Sequence, residues 1–231
     1  SARSTYKKMG LPYRRGFLFA GPPGGGKTTA AKIILANAAA KPLILSLTGD
    51  INDSTIKFAF NEAARETPSI LLIEDLDKML ESKDVSLSFL LNLLDGLDTC
   101  EGFLIIATSN EPEKIDQALL HRPSRFDRVF YFGLPGIEER QRMLTRRSQG
   151  CFSDSAVKEA AEATNGFTMA YVQEVAISAV LQAIHENREP VDNDLLANAK
   201  KLKEQYRSSQ KTSGVLPAIH HAGFQPNGGS Q

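Results

Sequence analysis

The feature that most constrains this chain is a glycine-rich octapeptide, GPPGGGKT, at residues 21–28. The apolar run at residues 17–20 before it predicts a strand, and the alanine-rich segment at residues 29–39 after it predicts a helix. Glycines let successive backbone N–H groups turn toward one point, and the start of a helix adds unsatisfied N–H groups and a partial positive charge. A strand, a glycine loop and a helix in this order predict a binding site for a polyphosphate.

We expect two side chains of this loop to have defined roles. Lys27 would neutralise the β- and γ-phosphates, and the Thr28 hydroxyl would complete the coordination shell of a Mg²⁺ ion. The alternative is a glycine-rich turn that binds nothing, but the loop residues and both flanking segments agree with a phosphate-binding loop. The residues predicted to hold the polyphosphate are Gly21, Pro22, Pro23, Gly24, Gly25, Gly26, Lys27, Thr28 and Thr29.

Three carboxylates follow the apolar run at residues 70–73: Glu74, Asp75 and Asp77. An apolar run without alternation is typical of a strand in a parallel sheet that is covered on both faces. Carboxylates at the end of such a strand are costly to bury unless they serve a cation. We expect one to hold Mg²⁺ and another to orient or deprotonate the water that attacks the γ-phosphate. An isolated Glu-Asp pair would be more typical of a solvated turn, but the phosphate loop upstream favours the site.

Strand-like and helix-like segments alternate up to about residue 134, and beyond that point every segment is helical in period until a polar tail. This pattern predicts an α/β fold, a parallel sheet with flanking helices, followed by a small all-helical domain. Further strands are predicted at 43–47, 103–106 and 129–132, and helices at 55–66, 86–97, 115–121, 137–147, 155–163, 168–187 and 192–206. The predicted divisions are an N-terminal loop at 1–15, the α/β domain at 16–134, the helical domain at 135–207 and a disordered tail or linker at 208–231.

The charge balance argues against nucleic acid as a partner. The chain has 27 basic and 27 acidic residues, whereas binding to nucleic acid relies on a basic surplus. Cys100 and Cys151 have no zinc-ligand spacing and favour a reducing intracellular compartment, the cytoplasm. The pair His220-His221 lies in the polar tail and receives no metal role. The apolar runs are far shorter than the roughly 20 residues that cross a bilayer, so we expect a membrane to be reached only through a segment not present in this chain.

Two further polar features depend on their context. Asn110 follows the strand predicted at 103–106 and would lie beside the attacking water if that strand neighbours the one at 70–73, although a lone Asn after a strand is more often a turn residue. Arg122 and Arg125 flank Pro123, which fixes the backbone between them, and could present two guanidinium groups at one edge of the domain. A pair of surface arginines is usually only solvated charge.

These features, in this order, resemble the AAA branch of the P-loop ATPases over roughly residues 8–190. The resemblance rests on four segments: 21–28, 70–77, 108–110 and 122–128. It implies a P-loop NTPase domain of the AAA+ type that binds ATP and Mg²⁺, with the helical part as a lid. On this resemblance the first segment is Walker A, Glu74 and Asp75 are Walker B, Asn110 is sensor 1, Arg122 and Arg125 are arginine fingers, and residues 166–170 fall where the lid helix reaches the nucleotide.

The resemblance also implies that the chain assembles with itself. An arginine finger acts on the nucleotide of a neighbouring subunit, so we expect a homo-oligomeric ring, a hexamer or a heptamer.

The Walker B segment departs from the family pattern. It usually reads Asp then Glu, but this chain has Glu74 followed by Asp75. Mg²⁺ keeps several of its waters and can be held through them, so one extra methylene is tolerable at the metal position. We therefore expect Glu74 and Thr28 at the metal and Asp75 as the group that activates water.

A second departure lies after the second predicted strand. Threading unfoldases of the family carry an aromatic residue there, whereas residues 49–54 have none, and we expect Phe58 and Phe60, which follow on a helical pattern, to lie in the core. Both departures, together with residues 10–16, resemble the group of mitochondrial AAA translocases that move the folded Rieske iron-sulfur protein.

The resulting hypothesis is Mg²⁺-dependent ATP hydrolysis by a ring-forming AAA module that remodels or translocates a protein client, one that can be folded. The sequence does not identify that client. Three alternatives stay open. These are a peptide-threading unfoldase that uses residues 81–84 as a second pore loop, an AAA+ ATPase of nucleic-acid metabolism, and a nucleotide-gated binding module without hydrolysis.

Overall fold

The computed structural model describes residues 2–10, 13–47, 51–96, 101–120 and 125–212. The chain divides into two compact units. The described residues of Ser1–Arg140 and Gly166–Val172 form the first unit, and those of Gln141–Asn165 and Gln173–Gln231 form the second. Several residues discussed above lie outside the described ranges: Gly49, Asp50, Cys100, Arg122, His220 and His221.

Within the described ranges, the first unit contains five strands: β1 (Arg14–Ala20), β2 (Lys41–Leu45), β3 (Ser69–Ile73), β4 (Phe103–Ser109) and β5 (Arg128–Tyr131). They form one parallel sheet in the order β2-β3-β4-β1-β5. The predicted parallel α/β architecture is therefore confirmed. Strand boundaries differ by a few residues from the apolar runs, because polar residues at a strand end can still pair through the backbone.

Helices precede and connect these strands. Segment 1–15, expected as a loop, contains α1 (Ala2–Lys8). The connecting helices are α2 (Lys27–Asn37), α3 (Asp53–Arg65), α4 (Leu76–Glu81), α5 (Leu87–Gly96) and α6 (Gln117–Leu120), with a 3₁₀ turn at Pro112–Lys114. The start of α3 follows from a side-chain cap, since Asn52 Oδ1 accepts a 3.0 Å hydrogen bond from the backbone N–H of Thr55.

The sheet has an apolar layer on each face. All five residues of β3 are buried, and successive strand residues point to opposite faces. Ile56 and Phe60 of α3 belong to the cluster on one face, and Ala31 and Leu35 of α2 belong to the cluster on the other. A strand covered on both sides explains why its sequence is apolar without alternation.

Phe58 does not belong to this core. Its exposed fraction is 68%, whereas that of Phe60 is 1%. The buried face of α3 consists of Ile56, Phe60 and Ala63. At 3.6 residues per turn, Phe58 lies about 200° around the helix from Ile56 and faces away from the sheet. The core prediction is confirmed for Phe60 and wrong for Phe58.

The strand register brings the predicted site segments to one edge. Ile73 of β3 lies opposite Ala107 of β4, and Ala20 of β1 lies opposite Ser109. Because the strands are parallel, the segments that follow them leave the sheet on the same side. The position expected for Asn110 required β3 and β4 to be neighbouring strands, and they are.

The C-terminal part is helical, as predicted. Its helices are α7 (Ile137–Arg147), α8 (Asp154–Ala163), α9 (Met169–His185) and α10 (Asp192–Thr212). Ser153 caps α8, since its Oγ accepts a 3.2 Å hydrogen bond from the N–H of Ala156. Residues 208–212, expected in the disordered tail, continue α10, and residues 213–231 lie outside the described ranges. None of the helices in the described part of the chain has the length and apolar character that a membrane span requires.

Candidate functional site

The glycine loop has a backbone that side chains would not permit. Gly21 has a φ of 141° and Gly24 a φ of 77°. A Cβ atom on Gly21 would lie 2.2 Å from the carbonyl oxygen of Phe132, so the loop leaves β1 in close contact with the segment after β5. The N–H of Gly21 also donates to the carbonyl of Ser109 at 3.2 Å. The loop is therefore fixed to the carboxyl ends of its two neighbouring strands.

Lys27, the first residue of α2, is held close to this loop. Its side chain is buried, and its Nζ donates to the carbonyls of Gly21 at 2.6 Å and Pro22 at 2.9 Å and to Asn110 Oδ1 at 2.8 Å. Burial lowers the pKa of Lys27, and the charges of Asp75 and Asp77 act in the opposite direction. The structure thus brings the charged group of Lys27 into contact with the loop backbone.

Asn110 connects this lysine to one of the predicted carboxylates. Its Nδ2 donates to Asp75 Oδ1 at 2.9 Å, while its Oδ1 accepts from Lys27. The backbone N–H of Asp75 donates to Thr108 Oγ1 at 3.0 Å, and Lys78 Nζ lies 3.2 Å from Asp75 Oδ2. Asp75 adopts a left-handed conformation with a φ of 51°, which Asp tolerates better than most residues. The result is a continuous polar network from the loop to the end of β3.

Glu74 has different partners from its neighbour. Its Oε1 lies 3.1 Å from Nζ of Lys32 on α2, and its backbone N–H donates to Leu45 at 2.9 Å. The two adjacent carboxylates of the predicted Walker B segment therefore contact different side chains, Lys32 and Asn110. No sequence pattern pointed to Lys32, because a lysine on a helix surface is usually only solvated.

Asp77 belongs to the same edge but received no role from the sequence. Its side chain is 4% exposed. Its Oδ2 accepts hydrogen bonds from the backbone N–H groups of Asn110 at 3.2 Å and Glu111 at 3.1 Å. The available signal was a third acidic residue four positions after the end of a buried strand.

The start of α9 contacts the loop within the first unit. The N–H of Ala170 donates to the carbonyl of Gly24 at 3.1 Å. A Cβ on Gly24 would lie 2.8 Å from Thr168 Oγ1 and 3.0 Å from the Cβ of Ala170. The structure thus brings residues 166–170 to the phosphate loop. Thr168 is buried and was not among the predicted site residues.

Arg125 is bound within its own chain. Its Nε and Nη2 donate to the two carboxylate oxygens of Asp95 on α5, at 3.0 and 2.9 Å, and its Nη1 donates to the carbonyl of Ala118. The side chain is 7% exposed, and the hydrogen bonds to Asp95 raise the pKa of Arg125. The structure does not bring it to Lys27 or Asp75. Its predicted companion, Arg122, lies outside the described residues.

The segment of Arg125 is also fixed to β1. Asp127 Oδ2 accepts a 2.7 Å hydrogen bond from the N–H of Gly16, and the N–H of Asp127 donates to the carbonyl of Gly16 at 2.8 Å. A Cβ on Gly16 would lie 2.1 Å from the carbonyl oxygen of Arg125, so only glycine permits this approach. Arg125 and Asp127 therefore hold the chain directly before β5 in place.

The residues at this edge fit a Mg²⁺-nucleotide. The loop backbone follows a path that only glycines allow at Gly21 and Gly24, and the first turn of α2 has no acidic side chain to repel phosphate. Lys27 supplies a charge, and the partly exposed Thr28, in the same turn, supplies a hydroxyl group. Carboxylates of the type that Mg²⁺ prefers stand at the end of β3, which lies on the other side of β4 from β1.

Comparison with known proteins gives one family match and many relatives. The model of the family described as "ATPase family associated with various cellular activities (AAA)" matches residues 17–134. The ATP-dependent zinc metalloprotease FtsH 2 of Thermoanaerobacter sp. (strain X514) is 29% identical over 240 residues, which cover 94% of this chain and 47% of the relative. The cell division cycle protein 48 homolog of Archaeoglobus fulgidus is 30% identical over 229 residues, 89% of this chain and 31% of the relative.

A third relative is described as an ATPase with a bromodomain. The ATPase with bromodomain protein abo2 of Schizosaccharomyces pombe is 33% identical over 193 residues, which cover 74% of this chain and 16% of the relative. The chain thus spans less than half the length of each of these three proteins.

Proposed function

The chain belongs to the AAA family of ATPases, and on that premise we propose that it hydrolyses ATP with Mg²⁺ and uses the reaction to remodel or move a protein client. The observation that carries the proposal is the network at the carboxyl edge of the sheet. Asn110 lies within hydrogen-bond distance of both Lys27 and Asp75, at 2.8 and 2.9 Å. A phosphate-binding cation and a carboxylate that can accept a proton are therefore joined by one amide.

The residues of this edge divide the work of hydrolysis. The loop 21–29 and Lys27 would hold the phosphates, and Thr28 and Glu74 would hold Mg²⁺, which when bound offsets the charge on the β- and γ-phosphates. Asp75 would accept the proton of the attacking water, and Asn110 would orient that water. The contact of Glu74 with Lys32 supports the separation of these two roles, because it directs Glu74 away from the network of Asp75.

We further propose a homo-oligomeric ring, a hexamer or heptamer, in which Arg122 acts on the nucleotide of the neighbouring subunit. The contacts of Arg125 support a different role from the finger expected for it. Its guanidinium makes a bidentate ion pair with Asp95 and is almost fully buried. We therefore propose that Arg125 anchors the segment that carries Arg122.

A further part of the proposal concerns the state of the client protein. The inverted order of Glu74 and Asp75 and the absence of an aromatic residue at 49–54 support a relation to the translocases of the folded Rieske iron-sulfur protein. A ring that offers Asn52 and Asp53 at its central loops has little apolar surface with which to grip an extended strand. We propose that the client is moved folded, or partly folded, rather than threaded.

The decisive experiment is steady-state phosphate release by the chain with Mg²⁺-ATP, with ATP affinity measured in parallel by calorimetry. We expect turnover above that of the Asp75→Asn variant, with similar ATP affinity for both. Binding of ATP without phosphate release would instead identify a nucleotide-gated binding module.

The client class is tested by stimulation. Activation of hydrolysis by an unfolded polypeptide, with unfolding of a tagged stable reporter, would select a threading unfoldase. Activation by DNA would select an ATPase of nucleic-acid metabolism, against the even charge balance of the chain.

A further inference from the structure

Asp77 is a buried carboxylate for which the proposed reaction has no direct use. It is the second residue of α4, and its side chain is 4% exposed. Within the described ranges, it forms no salt bridge, and its Oδ1 has no hydrogen-bond partner. A buried carboxylate with one unsatisfied oxygen destabilises the fold unless the other oxygen makes strong contacts.

The other oxygen of Asp77 makes two contacts with the chain that leaves β4. Its Oδ2 accepts from the N–H of Asn110 at 3.2 Å and from the N–H of Glu111 at 3.1 Å. One side-chain oxygen has two lone-pair sites and can accept both backbone amides at once. Asp77 therefore fixes the backbone at the point where the chain turns out of the sheet.

The side chain of Asn110 depends on this backbone. It has only two rotatable bonds, yet its amide must meet Lys27 Nζ on one side and Asp75 Oδ1 on the other. A small rotation of the main chain at Asn110 would break one of these contacts. A second bond at the same junction, from the N–H of Asp75 to Thr108 Oγ1 at 3.0 Å, ties the start of α4 to the end of β4.

We infer that Asp77 is a positioning residue: it holds the main chain of Asn110 so that the amide spans Lys27 and Asp75. The inference rests on the proposed ATPase function. Asp77 acts through hydrogen bonds to the backbone and not through contact with nucleotide. Its carboxylate is therefore needed as an acceptor at one oxygen, and its negative charge is secondary.

Two substitutions separate the acceptor from the charge. Asp77→Asn keeps one side-chain oxygen that can accept from both amides and places its NH₂ group where Oδ1 has no partner. Asp77→Ala removes the acceptor and leaves both N–H groups without it. A positioning role predicts that Asn preserves function and Ala does not.

The kinetic test compares phosphate release and ATP affinity for the two variants. We expect Asp77→Ala to lower kcat by roughly ten- to a hundredfold, the usual effect of losing an outer contact that orients a site residue. ATP affinity should change by less than about threefold, because Lys27 keeps its loop contacts. Asp77→Asn should stay within a few-fold of the unchanged protein. Equal loss in both variants, or none in Asp77→Ala, would overturn the inference.

A double-mutant comparison shows whether Asp77 works through Asn110. In a chain that already carries Asn110→Ala, Asp77→Ala should lower kcat by less than about twofold further, because the amide it positions is gone. A full further loss would mean that Asp77 acts on another part of the site, and the inference would fail.

Hydrogen exchange gives a readout that does not need hydrolysis. The amides of Asn110 and Glu111 should exchange faster in Asp77→Ala and close to the unchanged rate in Asp77→Asn, with global thermal stability followed as a control. If Asp77→Ala does not fold, Asp77→Ser replaces it with the same expectations. Absence of phosphate release by the unchanged protein would refute the proposed function, whereas unchanged exchange at both amides would refute the positioning role alone.

Discussion

The carboxyl edge of the sheet and the segment before β5 both contain buried cations, but the two cations have different partners. At the edge, Lys27 donates to two loop carbonyls and to the neutral amide of Asn110, and no carboxylate among the described residues is in direct contact with it. Before β5, Arg125 makes a bidentate bond to the carboxylate of Asp95. The charge of Arg125 is neutralised inside its own subunit, whereas that of Lys27 is held by neutral groups.

This difference in partners indicates which of the two cations can bind a ligand. Carbonyl and amide oxygens can be exchanged for phosphate oxygens with a gain in charge complementarity. A buried bidentate ion pair has no such gain, because breaking it removes two charge-assisted hydrogen bonds. Lys27 is therefore suited to bind phosphate, and Arg125 is suited to hold the chain.

The largest expected effect concerns Arg122, the proposed arginine finger. Arg122→Ala should bind ATP almost normally but hydrolyse it about 10³ to 10⁵ times more slowly, because an arginine finger offsets charge that develops on the transferring phosphoryl group. Mixing this variant with an Asp75→Asn chain should restore some phosphate release, since an intact arginine then faces an intact Asp75 at some interfaces. Subunit exchange is verified first. If no mixture then releases more phosphate than the sum of the two separate variants, action in trans is contradicted.

The control for this prediction lies in Asp95. If Arg125 only anchors its segment, Asp95→Asn should reproduce the effect of Arg125→Ala on turnover, and both should lower the thermal midpoint by several degrees, as expected for about 2 kcal/mol. Arg122→Ala should not lower the midpoint. Full activity of Asp95→Asn would instead return Arg125 to the role of a finger.

Asp75→Asn should have the next largest effect, on turnover and not on binding. Loss of a general base typically costs about 10² to 10⁴ in rate. Glu74→Gln is the matched variant on the adjacent residue, and it should raise the Mg²⁺ concentration needed for tight ATP binding. Phosphate release and Mg²⁺ titrations separate the two. Hydrolysis at the unchanged rate by Asp75→Asn would assign the role to Glu74 or to neither residue.

Lys27→Ala should weaken ATP binding by about 2–5 kcal/mol, the typical cost of truncating one partner of a buried charged contact. Lys32→Ala on the same helix is the control variant, and it should change ATP affinity much less. The Lys32 side chain is half exposed and contacts Glu74. Calorimetric titration with Mg²⁺-ATP measures both. Similar affinities for Lys27→Ala and the unchanged protein would refute the assignment of the phosphate cation.

The smallest expected effect distinguishes the partners of the two adjacent carboxylates. Lys32→Gln removes the cation next to Glu74, so Mg²⁺ should be bound about two- to fivefold more tightly, within the range of an exposed ion pair. Lys78→Gln removes the matching exposed cation next to Asp75 and should leave the Mg²⁺ dependence unchanged. A Mg²⁺ titration of nucleotide binding, followed by a fluorescent ATP analogue, measures the shift. Equal behaviour of the two variants would count against Glu74 as the metal residue.

Local pattern was sufficient to predict much of the fold and part of the site. The order of strand, glycine loop and helix predicted the position of Lys27, and the apolar run before Glu74 predicted a strand covered on both faces. These features could be read because spacing along a chain fixes which neighbouring residues share a face of a helix or a strand. Phe58 marks the limit of local pattern, since it lies on the same helix as Phe60 but faces away from the sheet.

The contacts that give individual residues their roles were decided by the tertiary structure. Asp95 and Arg125 are separated by 30 positions, and Asp77 and Asn110 by 33. No periodicity links residues so far apart. Only the parallel register of β3 with β4 brings Asp77 to the amides after β4, and only the packing of the segment before β5 against α5 gives Arg125 its carboxylate. The sequence thus determined which groups stand at the ends of the strands, and the fold decided which of them are bound to one another, because long-range pairing depends on how the strands are ordered in the sheet.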